Sequence, residues 1–267
     1  METLAFENGM VNVRRFGAGP APIVALHGFS QHGGSFEELA TFVGPLIAPD
    51  LPGHGLTIAD PVSLSAAESA IAAVIEATGS PKLVVGYSQG GRVALHLALT
   101  RPELISRLVL VSTSPGVADR DEREARRLAD DELAALIERV GLATFLTEWL
   151  DLPMFAGLRR RSTWWQELDR ARRMENTAAG LAAALRGMGQ GVQDYVGEAI
   201  AGIELPVLFI AGENDARYCE AANRMAATVQ DGRFEVIAGA GHSLIGEVPA
   251  AVGALVRKFL RNPPGPV

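Results

Sequence analysis

The stretch Leu83-Val84-Val85-Gly86-Tyr87-Ser88-Gln89-Gly90-Gly91-Arg92-Val93-Ala94-Leu95-His96-Leu97 decides how this chain is read. It passes from an aliphatic, β-branched strand pattern through Gly-x-Ser-x-Gly into an amphipathic helix pattern over 90–99. A serine on so sharp a turn occupies strained backbone, and glycines two residues to either side let neighbouring chain pass where a Cβ would clash. Ser88 is therefore expected to stand above a sheet edge. The helix N-terminus and the backbone N–H of Gln89 favour an anionic oxygen beside it. The plainer reading is an ordinary strand-to-helix turn, and the strand and helix on either side argue against it.

Outward from this motif, short aliphatic runs bounded by Gly, Pro or Asp recur at 23–26, 46–48, 83–85, 108–111, 207–210 and 234–237. Helical patterns lie between them, notably over 216–229 and 248–260. Such alternation predicts the α/β class, with a mostly parallel central sheet and helices on both faces. It stops after Ser112, and 117–191 carries helical pieces without a convincing strand. That segment is expected to be a helical cap inserted in a core made of 1–116 and 192–267. The tail Asn262-Pro263-Pro264-Gly265-Pro266 looks like a frayed terminus.

The other strand ends carry the remaining chemistry. The run 207–210 leads into Ala211-Gly212-Glu213-Asn214-Asp215, and the run 234–237 into Ala238-Gly239-Ala240-Gly241-His242-Ser243, which places an acid and a histidine at one sheet edge. The order Ser88, Asp215, His242 is the serine-acid-histidine order of the α/β-hydrolase fold. Asp215 would orient His242, which would accept the proton of Ser88. Glu213 is the rival acid, and His32, His54 and His96 are rivals for the base. Upstream, the loop Leu26-His27-Gly28-Phe29-Ser30 is where a second oxyanion donor belongs, and the Phe29 N–H is the candidate beside that of Gln89. His27 is read as lining this loop rather than as a base. Asp50 and His54, in Asp50-Leu51-Pro52-Gly53-His54-Gly55, are read as residues that fix a turn.

Composition narrows the classes further. The chain has 267 residues, 48% apolar and 21% charged, with mean hydropathy +0.16, which excludes disorder. A net charge of −7 and a pI near 5.3 give no general attraction to nucleic acid. Cys219 is the only cysteine, so a disulfide framework and a Cys-rich zinc site are excluded, and a reducing, cytoplasmic setting is expected. Acids near the start argue against an export signal, and the apolar runs fall far short of the ~20 residues that span a bilayer. Residues 120–186 hold 12 arginines and 12 acids, half of the 24 basic residues of the chain. Most of the charges over 119–127 are expected on a solvated helix face, with one or two arginines turned inward. No His-Glu-x-x-His, EF-hand loop or Gly-x-x-x-x-Gly-Lys occurs, so no metal or cofactor is called for. A dehalogenase or epoxide hydrolase on this fold needs a carboxylate where Ser88 stands.

The elbow, the turn 50–55 and the cap stretch Asn176-Thr177-Ala178-Ala179-Gly180-Leu181-Ala182-Ala183-Ala184-Leu185-Arg186-Gly187-Met188-Gly189-Gln190-Gly191 resemble the 2-succinyl-6-hydroxy-2,4-cyclohexadiene-1-carboxylate synthases of menaquinone biosynthesis. The resemblance implies a lyase that eliminates pyruvate from a 5-enolpyruvyl precursor, with Ser88 acting as a base helped by His242 and Asp215. It further implies that Tyr87, Arg92, Arg126, Trp149 and Arg173 face a small polycarboxylate substrate. Guanidinium groups suit that task because they bind carboxylates through paired hydrogen bonds. The chain departs from the family pattern at Gln89, where leucine or methionine is expected. Two other readings stand beside the lyase: a serine carboxylesterase or carbon–carbon hydrolase with the same triad, and a non-catalytic small-molecule receptor on the same fold.

Overall fold

The computed structural model describes residues 2–79 and 81–261, so the proline-rich tail lies outside it. Among the described residues nine strands form one sheet: β1 (Glu2–Phe6), β2 (Gly9–Phe16), β3 (Ile23–Leu26), β4 (Leu46–Pro49), β5 (Ile58–Ala59), β6 (Lys82–Tyr87), β7 (Ile105–Val111), β8 (Val207–Gly212) and β9 (Gly232–Ile237). The described α-helices are α1 (Glu37–Val43), α2 (Leu64–Ala77), α3 (Gln89–Thr100), α4 (Arg120–Val140), α5 (Leu142–Asp151), α6 (Thr163–Arg173), α7 (Ala178–Met188), α8 (Ala216–Thr228), α9 (Leu244–Glu247) and α10 (Pro249–Arg261).

The strand order is β1-β2-β4-β3-β6-β7-β8-β9, with β5 beside β2. Every pairing from β4 to β9 is parallel, and those of β2 with β1, β4 and β5 are antiparallel. The α/β class expected from the sequence is thus the class observed. Period-two side-chain alternation divides the aliphatic strands between two cores. Val24, Leu26, Val84, Leu108, Leu110 and Phe209 face α2, α3 and α8, whereas Ile23, Ala25, Val85, Val109, Val111 and Ile210 face α1 and α10. Residues on both faces of β3, β6 and β8 are buried, which is why these strands read as unbroken apolar runs. The chain leaves β3 for β4 on one side and returns to β6 on the other. A crevice opens at that reversal, above the carboxyl ends of β3 and β6.

The N-terminal hairpin β1–β2 was not foreseen. Its strands mix Glu2, Thr3, Asn12, Arg14 and Arg15 with apolar residues at an exposed sheet edge, so they lack the aliphatic runs that mark the central strands. Between β7 and β8 the described residues are helical or irregular, with Asp119, Ser162 and Thr177 capping α4, α6 and α7 through side-chain oxygens. Ala134, Ile137, Phe145, Leu146, Leu181, Ala182 and Leu185 from these helices pack as a separate apolar cluster, which meets the core at Phe29. Among the described residues no helix is long and apolar enough to cross a membrane.

One buried carboxylate ties the sheet to the crevice. Asp50, fully buried at the end of β4, accepts from Asn12 Nδ2 (2.8 Å), Gly33 N (2.8 Å) and Leu56 N (3.1 Å), and lies 3.4 Å from Arg14 Nε. This bears out the turn-fixing role read for it. Asp50→Ala leaves those donors unpaired and is expected to lower the unfolding free energy by about 3–5 kcal/mol. Urea unfolding measures this, and a loss below about 1 kcal/mol would contradict it.

Candidate active site

Ser88 sits at φ 50°, ψ −111°, between β6 and α3, in a region of backbone space that non-glycine residues rarely enter. Its surroundings hold it there. Ser88 N–H donates to Val111 O (2.9 Å), Ser88 O accepts from Thr113 Oγ1 (2.8 Å), and Gly90 N–H donates to His27 O (3.0 Å). A Cβ on Gly86 would lie 2.6 Å from the Gly91 Cα, and one on Gly90 would lie 2.3 Å from the Leu26 carbonyl oxygen. Strand, helix and the end of β3 therefore meet at distances that only glycine allows.

His242 and Asp215 arrive from the ends of β9 and β8. His242 Nδ1 lies 2.7 Å from Asp215 Oδ2, and His242 Nε2 lies 3.2 Å from Ser88 Oγ. With Nδ1–H donating to the carboxylate, the neutral ring presents Nε2 as acceptor for the serine proton. Tyr218 and Tyr87 lie against the imidazole, with ring centroids 4.7 and 5.6 Å from it. Burial pushes the Tyr87 phenol well above its ordinary pKa, and its oxygen lies 3.2 Å from Ser243 Oγ. The rival acid Glu213 is turned away and accepts from Gly239 N–H instead (2.8 Å).

The loop after β3 is pinned by two buried imidazoles. His27 accepts from Leu51 N–H at Nε2 (2.9 Å) and donates from Nδ1 to Gly28 O (2.8 Å). His54 accepts from Ser30 N–H (3.3 Å) and donates to Pro52 O (3.1 Å). Burial lowers both pKa values, that of His54 to about 4, so both rings are neutral spacers. His32 and His96 also lie away from Ser88: His32 accepts from Gly34 N–H, and His96 meets Gln193. Between these ties, Phe29 N–H joins Gln89 N–H in meeting no acceptor among the described residues. The Gln89 side chain is buried, and its Oε1 has no partner there.

Of the arginines and aromatics singled out in the sequence, Tyr87, Trp149 and Arg173 line the cavity at Ser88, with Phe29, Gln31, Met154, Phe155 and His242. Arg173 is 2% exposed and donates from Nε to Asp169 Oδ2 (2.8 Å) and from Nη1 to Ser30 Oγ (2.6 Å), while Nη2 meets no described partner. The buried indole N–H of Trp149 is likewise unpartnered. Arg92 and Arg126 do not line this cavity. Arg92 is buried beside Tyr218 and donates to Met188 O (2.8 Å) and Gln193 Oε1 (2.7 Å), and desolvation pulls its pKa down to about 10. Arg126 is half-exposed and pairs with Asp130 (2.8 Å). Sequence reasoning passed over Gln31, Met154 and Tyr218. Gln31 follows the Phe29 loop, but nothing in the sequence marked Met154 or Tyr218 as neighbours of His242. The cavity is small, about 30 Å³, and shares Met154 and His242 with a neighbouring cavity of about 270 Å³ that Asp215 and Arg160 also line. Among the described residues no group of three or more His, Cys, Asp or Glu is placed to hold a metal ion.

A strained serine at a strand-to-helix turn, a histidine bridging it to an aspartate, and two free backbone N–H groups beside them define a class. A model described as "Alpha/beta hydrolase family" matches residues 23–255, and the chain belongs to that family. It is 35% identical over 247 residues to a Bacillus subtilis protein provisionally named 2-succinyl-6-hydroxy-2,4-cyclohexadiene-1-carboxylate synthase, covering 90% of each chain. The 2-succinyl-6-hydroxy-2,4-cyclohexadiene-1-carboxylate synthase of Enterobacter sp. is 30% identical over 251 residues, covering 90% of this chain and 91% of its own. Among solved structures, MenH from S. aureus superposes with TM-score 0.88 at 27% identity, over 93% of this chain and 97% of its own. An esterase from Thermogutta terrifontis superposes with TM-score 0.82 at 22% identity over 98% of each chain, a likeness of fold alone.

The buried histidines give the protein a pH signature. The unfolded chain takes up a proton at His54 near pH 6.5, whereas the folded protein resists protonation down to about pH 4. Stability from this group is therefore complete above pH 6.5 and lost as the pH falls toward 4. For His54 alone the expected loss between pH 7 and 4.5 is about 2–3 kcal/mol. In urea titrations across that range, the stability difference between wild type and His54→Asn should shrink toward acid. A pH-independent difference refutes the assignment.

Proposed function

We propose that the protein is a lyase that eliminates pyruvate to form 2-succinyl-6-hydroxy-2,4-cyclohexadiene-1-carboxylate, a step of menaquinone biosynthesis. One observation carries the reading: a buried guanidinium, that of Arg173, lines the Ser88 cavity with a free Nη2, in a chain similar over nine-tenths of its length to synthases of that name. Ser88, His242 and Asp215 form the catalytic triad. His242 takes the serine proton, and the resulting alkoxide removes a proton from a ring carbon. The C2–H electrons form a C2–C3 double bond, the C3–C4 double bond shifts to C4–C5, and the C5–O bond breaks; the departing enolpyruvate becomes pyruvate on taking up the proton held by His242. The N–H groups of Phe29 and Gln89 stabilise negative oxygen at the turn. Arg173 and the Trp149 indole N–H supply donors for a substrate carboxylate, and Tyr87 forms part of the wall.

Arg92 and Arg126 stand one layer away in this conformation. The proposed part of Arg92 is positive potential: its hydrogen-bond acceptors are neutral oxygens, so its charge is not cancelled at contact, whereas that of Arg126 is matched by Asp130. Residues 117–191 act as a cap over a core of 1–116 and 192–267. A cavity of about 30 Å³ holds no six-membered ring, so the cap has to shift for substrate to enter. The proposed setting is cytoplasmic, in keeping with a lone, free cysteine.

The test is pyruvate release from enzymatically generated 2-succinyl-5-enolpyruvyl-6-hydroxy-3-cyclohexene-1-carboxylate, coupled to lactate dehydrogenase, beside a panel of p-nitrophenyl esters. Fast release with weak ester cleavage is expected. Brisk ester cleavage without release would make the protein a serine hydrolase, and neither activity would favour a receptor. Ser88→Ala should reduce release by at least about 10³-fold. Arg173→Ala should cost about 2–4 kcal/mol in kcat/KM on the polyanion and little on a neutral ester. Equal losses on both substrates would remove Arg173 from carboxylate binding.

A further inference from the structure

His242 stands in a loop, Ala238-Gly239-Ala240-Gly241-His242-Ser243, whose other side chains are hydrogen, methyl or hydroxymethyl groups. Such a loop has two glycines and little side-chain bulk with which to anchor itself, so the register of the imidazole depends on groups from elsewhere. One tie is Asn214 N–H donating to Ala240 O (2.9 Å) from the loop that carries Asp215. A second is Glu213, which accepts from Gly239 N–H (2.8 Å), and a third is Glu247, whose side chain is 1% exposed. Its Oε2 accepts from Gly241 N–H (2.8 Å) and its Oε1 from Ser243 N–H (3.0 Å). The N–H groups of the residues on either side of His242 are thus held by the two oxygens of one buried carboxylate.

The same carboxylate meets the 3-10 turn Pro153–Arg160. A Cβ on Gly157 would lie 1.9 Å from Glu247 Oε2, so the turn seats on the carboxylate at a distance that only glycine permits. Arg160 Nη2 lies 3.7 Å from Glu247 Oε2 and donates to Gly239 O (2.9 Å), reaching the far end of the histidine loop. Met154 and Phe155 of this turn line the cavity at Ser88. The segment that closes the cavity therefore rests on the group that holds the histidine.

We propose that Glu247 is a positioning residue for His242, and that the seating of the 153–160 turn on its carboxylate sets the imidazole in line with Ser88 and Asp215. The proposal rests on the catalytic triad assigned above and extends it. Holding a base in register is a large effect, since misplacement by about 1 Å costs on the order of 10²-fold in rate. Glu247→Gln keeps the shape but replaces one accepting oxygen with an NH2 group that faces a backbone N–H.

The full-length protein tests this through three readouts: kcat and KM for pyruvate release, the thermal midpoint, and the downfield proton NMR signal of His242 Nδ1–H, assigned by its loss in His242→Ala. Glu247→Gln is expected to lower kcat by about 10–100-fold with KM nearly unchanged, and to shift or broaden the downfield signal. Gly157→Ala, which retains the carboxylate but displaces it, should act in the same direction, and it decides the matter if Glu247→Gln fails to fold. A wild-type downfield signal in both variants overturns the proposal, whatever happens to the thermal midpoint. Absence of the signal from the wild type removes the proposal together with the triad. A wild-type signal without pyruvate release refutes the substrate assignment alone, and the response of that signal to Glu247→Gln then decides the role of Glu247.

Discussion

The close approach of the Ser88 turn to the end of β3 is the constraint from which the rest of the site follows. Gly90 lies so near the Leu26 carbonyl that no side chain fits, and its N–H bonds to the His27 carbonyl. This contact fixes the loop after β3 relative to the start of α3. The Phe29 and Gln89 N–H groups belong to those two elements, so the same contact limits how they can lie relative to one another. The cost of positive φ at Ser88, of order 1–3 kcal/mol, is borne by the hydrogen bonds and packing that surround the turn. His27, His54 and Asp50 stiffen the far side of the loop with neutral rings and one carboxylate that collects backbone donors.

Asp215 and His242 are held by a different logic. β8 and β9 are parallel neighbours, so their C-terminal ends deliver Asp215 and His242 to the same edge, and a 2.7 Å hydrogen bond joins them. The two strand ends also meet closely, since a Cβ on Gly212 would lie 2.2 Å from the Gly241 carbonyl oxygen. The histidine loop is composed of small residues and is tied by Glu213, Asn214 and Glu247. Ser88 is thus held by the core of the sheet, while the His242 loop also meets the 153–160 turn through Glu247 and Arg160.

The central strands and the order Ser88, Asp215, His242 were legible because parallel strands covered on both faces must be apolar throughout, and because their ends must carry the polar residues. The elbow was legible for a steric reason, since glycines at 86 and 90 are demanded by backbone contacts at 2.3–2.7 Å. The hairpin β1–β2 escaped notice because an exposed edge needs no such apolar pattern. Among the cap arginines, sequence alone did not separate Arg173, which turns into the cavity, from Arg126, which pairs within α4. Both are helix residues with an acid four positions away, and the difference lies in which helix face the core covers. Glu247 was invisible for another reason: a carboxylate that binds backbone N–H groups leaves no partner residue to find in the sequence.

Cap charge also has a physical resolution. Its arginines are largely matched by acids: Arg127 with Glu124 and Asp131, Arg161 with Glu38, Arg172 with Glu37, and Arg186 with Glu138. Exposed pairs of this kind contribute little stability, but they leave the cap without a general pull on anions. Arg173 differs because it is buried with Asp169, so neither ion is solvated and each depends on the other. The pair orders the guanidinium beside the cavity, and Nη2 meets no described partner. On the proposed function, an incoming carboxylate meets a guanidinium already ordered, in surroundings of low dielectric where a charge-assisted hydrogen bond is strong. Anion selectivity would then rest on this desolvated pair and the unmatched charge of Arg92, rather than on the number of arginines in 120–186.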